Sequence, residues 1–239
     1  MNAATMEVAA EDLASGKGST DENFPVASHL IAPKFRPPVM AFYRFARAAD
    51  DVADNALAEP TTKLELLEVL RASLVGESEE APEGRDLRAM LQSRHLSDQH
   101  ALDLLEAFRR DVTKLRYADW YDLIDYCRWS AMPVGRFVLD VHGESKSTWP
   151  ASDALCAALQ VINHLQDCAK DYHDIDRVYL PRETLGACGA NIEMLAHGAL
   201  LLLGYVLPVL GYQARRLDGS LLPHARVRLG GDQLDEQEK

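Results

Sequence analysis

From Pro38 to Ile175 the apolar residues recur at three- and four-residue intervals and never settle into alternation. That is the period of a helix packed on one side, not of a strand. The first such stretch, RPPVMAFYRFARAADDVADN, opens on Pro37 and Pro38, whose fixed φ suits a first helical turn. It then sets Val39, Phe42, Ala46 and Ala49 on one side, with Phe45 and Val52 overlapping them. TTKLELLEVLRASLV predicts a second helix, with Thr61 or Thr62 as N-cap and Glu65 near the capping-box position. GESEEAPEG (76–84) reads as a polar loop. Helices are then expected around 85–95, 97–116 and 119–131, and from Met132 to His142 with a start near Pro133. A long amphipathic one follows over 150–176, where Ser152 is the expected cap. No repeat or low-complexity run appears, and the expected class is all-α, with one helical domain over 22–212.

The two ends leave this pattern. Residues 1–21 are polar and acidic and lack the apolar run of a signal peptide, so a disordered tail and a cytoplasmic protein are expected. Residues 213–239 end in RLGGDQLDEQEK and read as a polar tail. Between domain and tail, MLAHGALLLLGYVLPVLGY (194–212) carries no formal charge for 19 positions, near the length of a membrane span. His197, three glycines and Pro208 interrupt it, which favours a buried core helix or a hairpin that seeks a surface, with peripheral attachment to a membrane as a further expectation.

Composition narrows the function. The chain has 239 residues, 47% of them hydrophobic, enough for a sizeable core. A net charge of −12 leaves no basic excess to neutralise a phosphate backbone, which excludes a general nucleic-acid binder. An anionic substrate stays open, because a metal ion can carry positive charge locally. The four cysteines form no CxxC pair; Cys127, Cys156 and Cys168 fall in apolar-periodic segments and are expected as buried, reduced thiols, while Cys188 lies beyond them.

Two tracts carry candidate chemistry. ARAADDVADN places Asp50, Asp51 and Asp54 within five positions of an otherwise apolar helix. Like charges four residues apart destabilise a helix by roughly 0.2–0.5 kcal/mol per pair, so a compensating cation is expected. Arg47, Asp50, Asp51 and Asp54 share one helix face, and in NHLQDCAKDYHDID the residues Asn163, Asp167 and Asp171 form a second single stripe. Facing each other, these stripes would line a cavity with oxygen ligands. Such a site suits Mg2+, which takes a few carboxylates together with waters and substrate phosphate. Arg47 and Arg177 could grip the remaining phosphate oxygens with guanidinium forks. Neither tract has the glycine-centred EF-hand spacing, and no Glu-x-x-His motif supports a di-iron bundle. His164 and His173 flank the second tract, where a surface or supporting role is expected for both.

ENFPVAS (22–28), FYRFARAADDVAD (42–54), YCRWSAMPVGR (126–136) and QDCAKDYHDIDRVYLPRE (166–183) resemble the squalene/phytoene synthase family, and within it the bacterial branch that forms hydroxysqualene for hopanoids. The resemblance runs from residue 22 to about 186. It implies an isoprenoid-synthase fold around a central cavity, and an enzyme that binds Mg2+ and a prenyl diphosphate. By position it assigns Asp50 and Asp54 to the first acidic motif and Asn163, Asp167 and Asp171 to the second. Arg47, Arg177 and Tyr179 fall at diphosphate-binding and flanking positions, with Tyr43 in the first motif's segment. Tyr126 matches a tyrosine facing the reacting centre, and Ala131 and Gly135 match small residues lining the prenyl tunnel. Asp111 and Tyr117 also fit the family pattern, as supports beside the cavity, whereas Trp120 and Trp129 read as core aromatics. Gln166 stands where many relatives have an arginine, and Lys170 lies one turn further on.

The implied reaction ionises presqualene diphosphate to a cyclopropylcarbinyl cation, rearranges it and captures water to give hydroxysqualene. It needs no reductant, and no GxGxxG nucleotide fingerprint is present. Beyond Gly186 the resemblance fades where relatives continue with further helices, so the C-terminal part reads as shortened. Two alternatives remain: condensation of two farnesyl diphosphates to presqualene diphosphate, and a non-catalytic member that binds prenyl lipid or a protein partner. Nothing in the sequence specifies that partner.

Overall fold

The structure is a computed structural model that describes residues 31–187 and 189–197. The expected tails 1–21 and 213–239, the ENFPVAS segment, Cys188 and the apolar stretch beyond 197 lie outside the described residues. Among the described residues eight α-helices follow one another: α1 (Arg36–Asp54), α2 (Pro60–Val75), α3 (Pro82–Arg94), α4 (Gln99–Thr113), α5 (Trp120–Ser130), α6 (Met132–His142), α7 (Trp149–Ile175) and α8 (Arg182–Ala187). A 3-10 turn over Ile192–His197 ends the described part, and no strand forms among the described residues.

α1 is the hub. Ala41, Phe42, Phe45, Ala49 and Val52 are buried on its inner face, against Leu66, Leu67 and Leu70 of α2, Leu87 and Leu91 of α3, and Leu104 and Leu105 of α4. Phe42 stacks on Phe137 of α6 with ring centroids 4.1 Å apart, which ties the first four helices to the sixth. Two glycines permit the closest helix contacts. A Cβ on Gly84 of α3 would lie 2.9 Å from the Leu70 carbonyl oxygen of α2, and one on Gly135 of α6 would lie 2.5 Å from Ser152 Oγ and Cys156 Sγ of α7.

Several helix starts differ from the sequence expectation, and proline is the reason. α2 begins at Pro60 with Glu59 as N-cap, so Thr61 and Thr62 lie inside its first turn. α7 begins at Trp149, followed by Pro150, and Ser152 falls inside it. In both, a pre-set φ starts the helix where the missing N–H would have had no partner. α3 likewise starts at Pro82, not near 85. α5 has the side-chain cap that α1–α4, α6 and α7 lack: Asp119 accepts from the Asp122 N–H at 2.9 Å, and Asp122 accepts from the Ala118 N–H at 3.0 Å.

Two irregular segments lock the site together. α7 ends where Asp176 adopts a left-handed conformation (φ 51°), and the chain then runs beside the segment that leaves α4. Val178 N–H donates to Leu115 O and Arg182 N–H to Tyr117 O, both at 3.0 Å. This short parallel pairing buries Tyr117, Arg177, Val178, Tyr179 and Leu180.

Candidate active site

A cavity of about 480 Å3 opens between α1, α4, α5 and α7. From α1 it takes Tyr43, Arg47, Asp50 and Asp54, a stripe at i, i+4, i+7 and i+11; from α7 it takes Gln160, His164, Asp167 and Asp171 at the same spacing, with Asn163 beside them. Arg177 and Tyr179 enter from the segment after α7, Asp111 from α4, and Tyr126 and Ser130 from α5. Asp51 instead turns back along its own helix, to accept from Arg47 Nη2 at 2.6 Å.

The two acidic rows share this space. Arg47 Nη1 donates to Asp50 Oδ2 at 2.9 Å on the α1 side. Arg177, only 4% exposed, donates from Nη1 to Asp54 Oδ1 at 2.7 Å and from Nη2 to the Asp111 carbonyl at 2.9 Å. These cations do not neutralise the carboxylates fully. Burial, and then Asp54, push the Asp50 carboxyl up to about 7, although its side chain is 36% exposed. Burial, then Asp167 and Asp54, push Asp171 up to about 6.

Behind the acidic rows lies a buried polar cluster centred on Asp111. Its carboxylate accepts from Tyr126 OH at 2.7 Å and from Tyr179 OH at 3.1 Å, and Arg177 Nε stands 3.8 Å away. Burial outweighs these partners and raises the Asp111 carboxyl to about 6. Tyr117 stacks on Tyr179 with centroids 5.4 Å apart, and His164 stacks on the same ring at 3.6 Å. Burial, then Arg177, hold the His164 imidazole down at about 3.

The donors present are carboxylate and amide oxygens, the chemistry of a hard divalent cation. Among the described residues no three Asp, Glu, His or Cys side chains converge closely enough to hold a metal alone. Crowded, incompletely neutralised carboxylates are the donor type that Mg2+ takes together with water and phosphate oxygens.

An apolar groove of about 870 Å3 adjoins the cavity and shares Ser130, Val134, Gln160, Asn163 and Asp167 with it; Ala131, Leu159, Ile162 and Gln166 extend its wall. Gln166 thus borders the groove and not the charged cavity. Gly135, expected to line the tunnel, stands at the contact of α6 with α7 beside Cys156, which lines the groove, and its missing side chain serves that contact. Lys170 does border the cavity, with its amine 3.2 Å from Asp174. Of the two histidines for which a surface or supporting role is expected, His173 is exposed and His164 is buried in the cavity wall. In the sequence, the Gln160–His164–Asp167–Asp171 spacing is the signal that sets His164 on the same helix face as the acidic residues. Trp120 and Trp129 pack on the tyrosine cluster as core aromatics. Cys127 and Cys168 are buried free thiols, and Cys156 is half-buried.

The family model described as squalene/phytoene synthase matches residues 18–217. Hydroxysqualene synthase of Rhodopseudomonas palustris is 60% identical over 186 residues, 78% of this chain and 64% of that protein. Hydroxysqualene synthase of Zymomonas mobilis is 59% identical over 181 residues, 75% of this chain and 61% of that protein. The chain therefore spans less than two thirds of the length of these curated relatives. Among solved structures, squalene synthase HpnC from Alicyclobacillus acidocaldarius superposes with a TM-score of 0.63 at 33% identity, covering 90% of this chain and 83% of that one. No described helix is long and apolar enough to cross a membrane.

Proposed function

The chain belongs to the squalene/phytoene synthase family, and on that premise we propose that it ionises presqualene diphosphate with Mg2+ and returns hydroxysqualene, a step of squalene and hopanoid biosynthesis. The observation that carries this reading is the shared cavity, where Asp50 and Asp54 meet Asn163, Asp167 and Asp171, with Arg47 and Arg177 in the same wall. The apolar groove continues from it. A prenyl diphosphate has that same division into a polyanionic head and a hydrocarbon tail. The identity of about 60% to two hydroxysqualene synthases supports the choice of product.

Asp50, Asp54, Asn163, Asp167 and Asp171 would hold Mg2+, which when bound supplies Lewis-acid neutralisation of the departing diphosphate. Arg177 is fixed by Asp54 and the Asp111 carbonyl, so its charge is in place before the C–O bond breaks and needs no reorganisation. Arg47 offers a second guanidinium from the α1 side. Tyr126 keeps its hydroxyl on Asp111, so its ring is what it offers the cation, whereas the Tyr179 ring is covered by the stacked rings of Tyr117 and His164. The groove offers its apolar wall to the prenyl chains.

Incubating the purified protein with presqualene diphosphate and Mg2+, followed by mass spectrometry of the products, tests the reading. Hydroxysqualene is the expected product, and farnesyl diphosphate run in parallel is expected to stay unconverted. Unchanged presqualene diphosphate, or farnesyl diphosphate converted to presqualene diphosphate, contradicts it.

A further inference from the structure

Specific water capture requires a water placed beside the cation, and a polar atom must hold it there. The tyrosine hydroxyls at this end of the cavity are already committed: Tyr126 OH donates to Asp111 Oδ2 and Tyr179 OH to Asp111 Oδ1. Arg177 is taken up by Asp54 and the Asp111 carbonyl through its terminal nitrogens, and its buried Nε, without a hydrogen-bond partner, can only donate and stands 3.8 Å from Asp111. His164 differs. It is 8% exposed, it borders the cavity, and its Nε2 is buried without a hydrogen-bond partner. Its plane is fixed by the stack on Tyr179, 3.6 Å between centroids and 16° from parallel, and Tyr126, itself 5.2 Å from Tyr179, lies 5.9 Å away. A buried polar atom with no partner forfeits about 1–3 kcal/mol, so a histidine here is a poor choice for packing alone. Ser130, one turn beyond Tyr126 on α5, adds a second buried oxygen without a partner to the same cavity wall. A held water needs at least two polar partners.

We propose that His164, assisted by Ser130, holds the water that quenches the carbocation and thereby makes an alcohol the product. The proposal rests on the hydroxysqualene reading above. Ionisation breaks the C–O bond to the diphosphate, and both electrons leave with it. A lone pair of the held water then forms the new C–O bond, and the proton lost from the resulting oxonium passes to the departing diphosphate. No oxidant or reductant is consumed.

The test is the fraction of consumed presqualene diphosphate recovered as hydroxysqualene, measured with Mg2+ for the wild type, His164→Phe, His164→Leu and His164→Gln. Diphosphate release is followed in the same tubes. Phe keeps the stack on Tyr179 without a polar atom, and Leu gives a second reading in a smaller side chain. Both are expected to lower the hydroxysqualene fraction about tenfold, the worth of one hydrogen bond, with other prenyl products in its place. Gln restores a polar group and is expected to recover most of the fraction. An unchanged fraction in folded His164→Phe and His164→Leu overturns the proposal, as does a Gln variant that behaves like Phe. If the wild type releases no diphosphate at all, the parent reading fails and takes this proposal with it; diphosphate release with normal hydroxysqualene in the variants sinks this proposal alone.

Discussion

Asp50 shows at the scale of one residue how the cavity sets folding against chemistry. Its carboxyl is raised to about 7 by burial and by Asp54, with Arg47 only partly offsetting them, so the charged form is a liability to the fold without a cation. Asp50→Asn is therefore expected to raise the melting temperature in metal-free buffer while abolishing product formation. A variant that melts lower, or stays active, contradicts this. Arg177 behaves oppositely. It is 4% exposed and joins Asp54, the Asp111 carbonyl and Tyr179 OH, so Arg177→Met leaves buried Asp111 without its cation and should lose about 3–5 kcal/mol in urea denaturation. Arg177→Lys should not restore it, because an ammonium cannot span the same partners. The acidic residues were legible in the sequence because helix spacing alone puts them on a face. The place of Asp111 at the centre of a tyrosine cluster was not, since Tyr126 and Tyr179 reach it from 15 and 68 residues away.

At the scale of elements, α1 and α7 were readable because each keeps one helical period over many residues, and their prolines mark where they start. What the period could not give was which side of α7 meets the rest of the fold. Its Leu155, Leu159 and Ile162 stay exposed, whereas His164 and Cys168 are buried. Nor did it reveal the pairing of Leu115 with Val178, which depends on two loops meeting. Helix contacts offer a direct test. A Cβ at Gly84 would lie 2.8 Å from Ser73 Cβ and 2.9 Å from backbone atoms of Leu70 and Leu74, whereas one at Gly186 meets nothing within 4 Å. Gly84→Ala should destabilise by about 1–3 kcal/mol despite the better helix propensity. Gly186→Ala should stabilise by about 0.5–1 kcal/mol. Equal effects at the two sites would show that the close approach of α3 to α2 is not as described.

For the whole molecule, the buried Asp111 links stability to pH. Its carboxyl titrates at about 6 in the fold, against 3.8 unfolded. A raised folded value favours folding below the unfolded pKa, and that contribution is lost as pH rises through 6. Two units correspond to about 3 kcal/mol. Asp111→Asn lacks this titration, so its stability relative to wild type should improve by up to about 3 kcal/mol between pH 4 and 7.5. A difference that stays constant across that range contradicts the burial. The central claim, that the rows on α1 and α7 act together on one diphosphate, is tested most directly by diphosphate release from presqualene diphosphate as a function of Mg2+ concentration. In the wild type, release should rise with Mg2+ and saturate; Asp54→Asn and Asp167→Asn, one from each row, should each abolish it with the helical circular dichroism intact. Release that ignores Mg2+, or that survives in either variant, would mean that the two rows do not form one site.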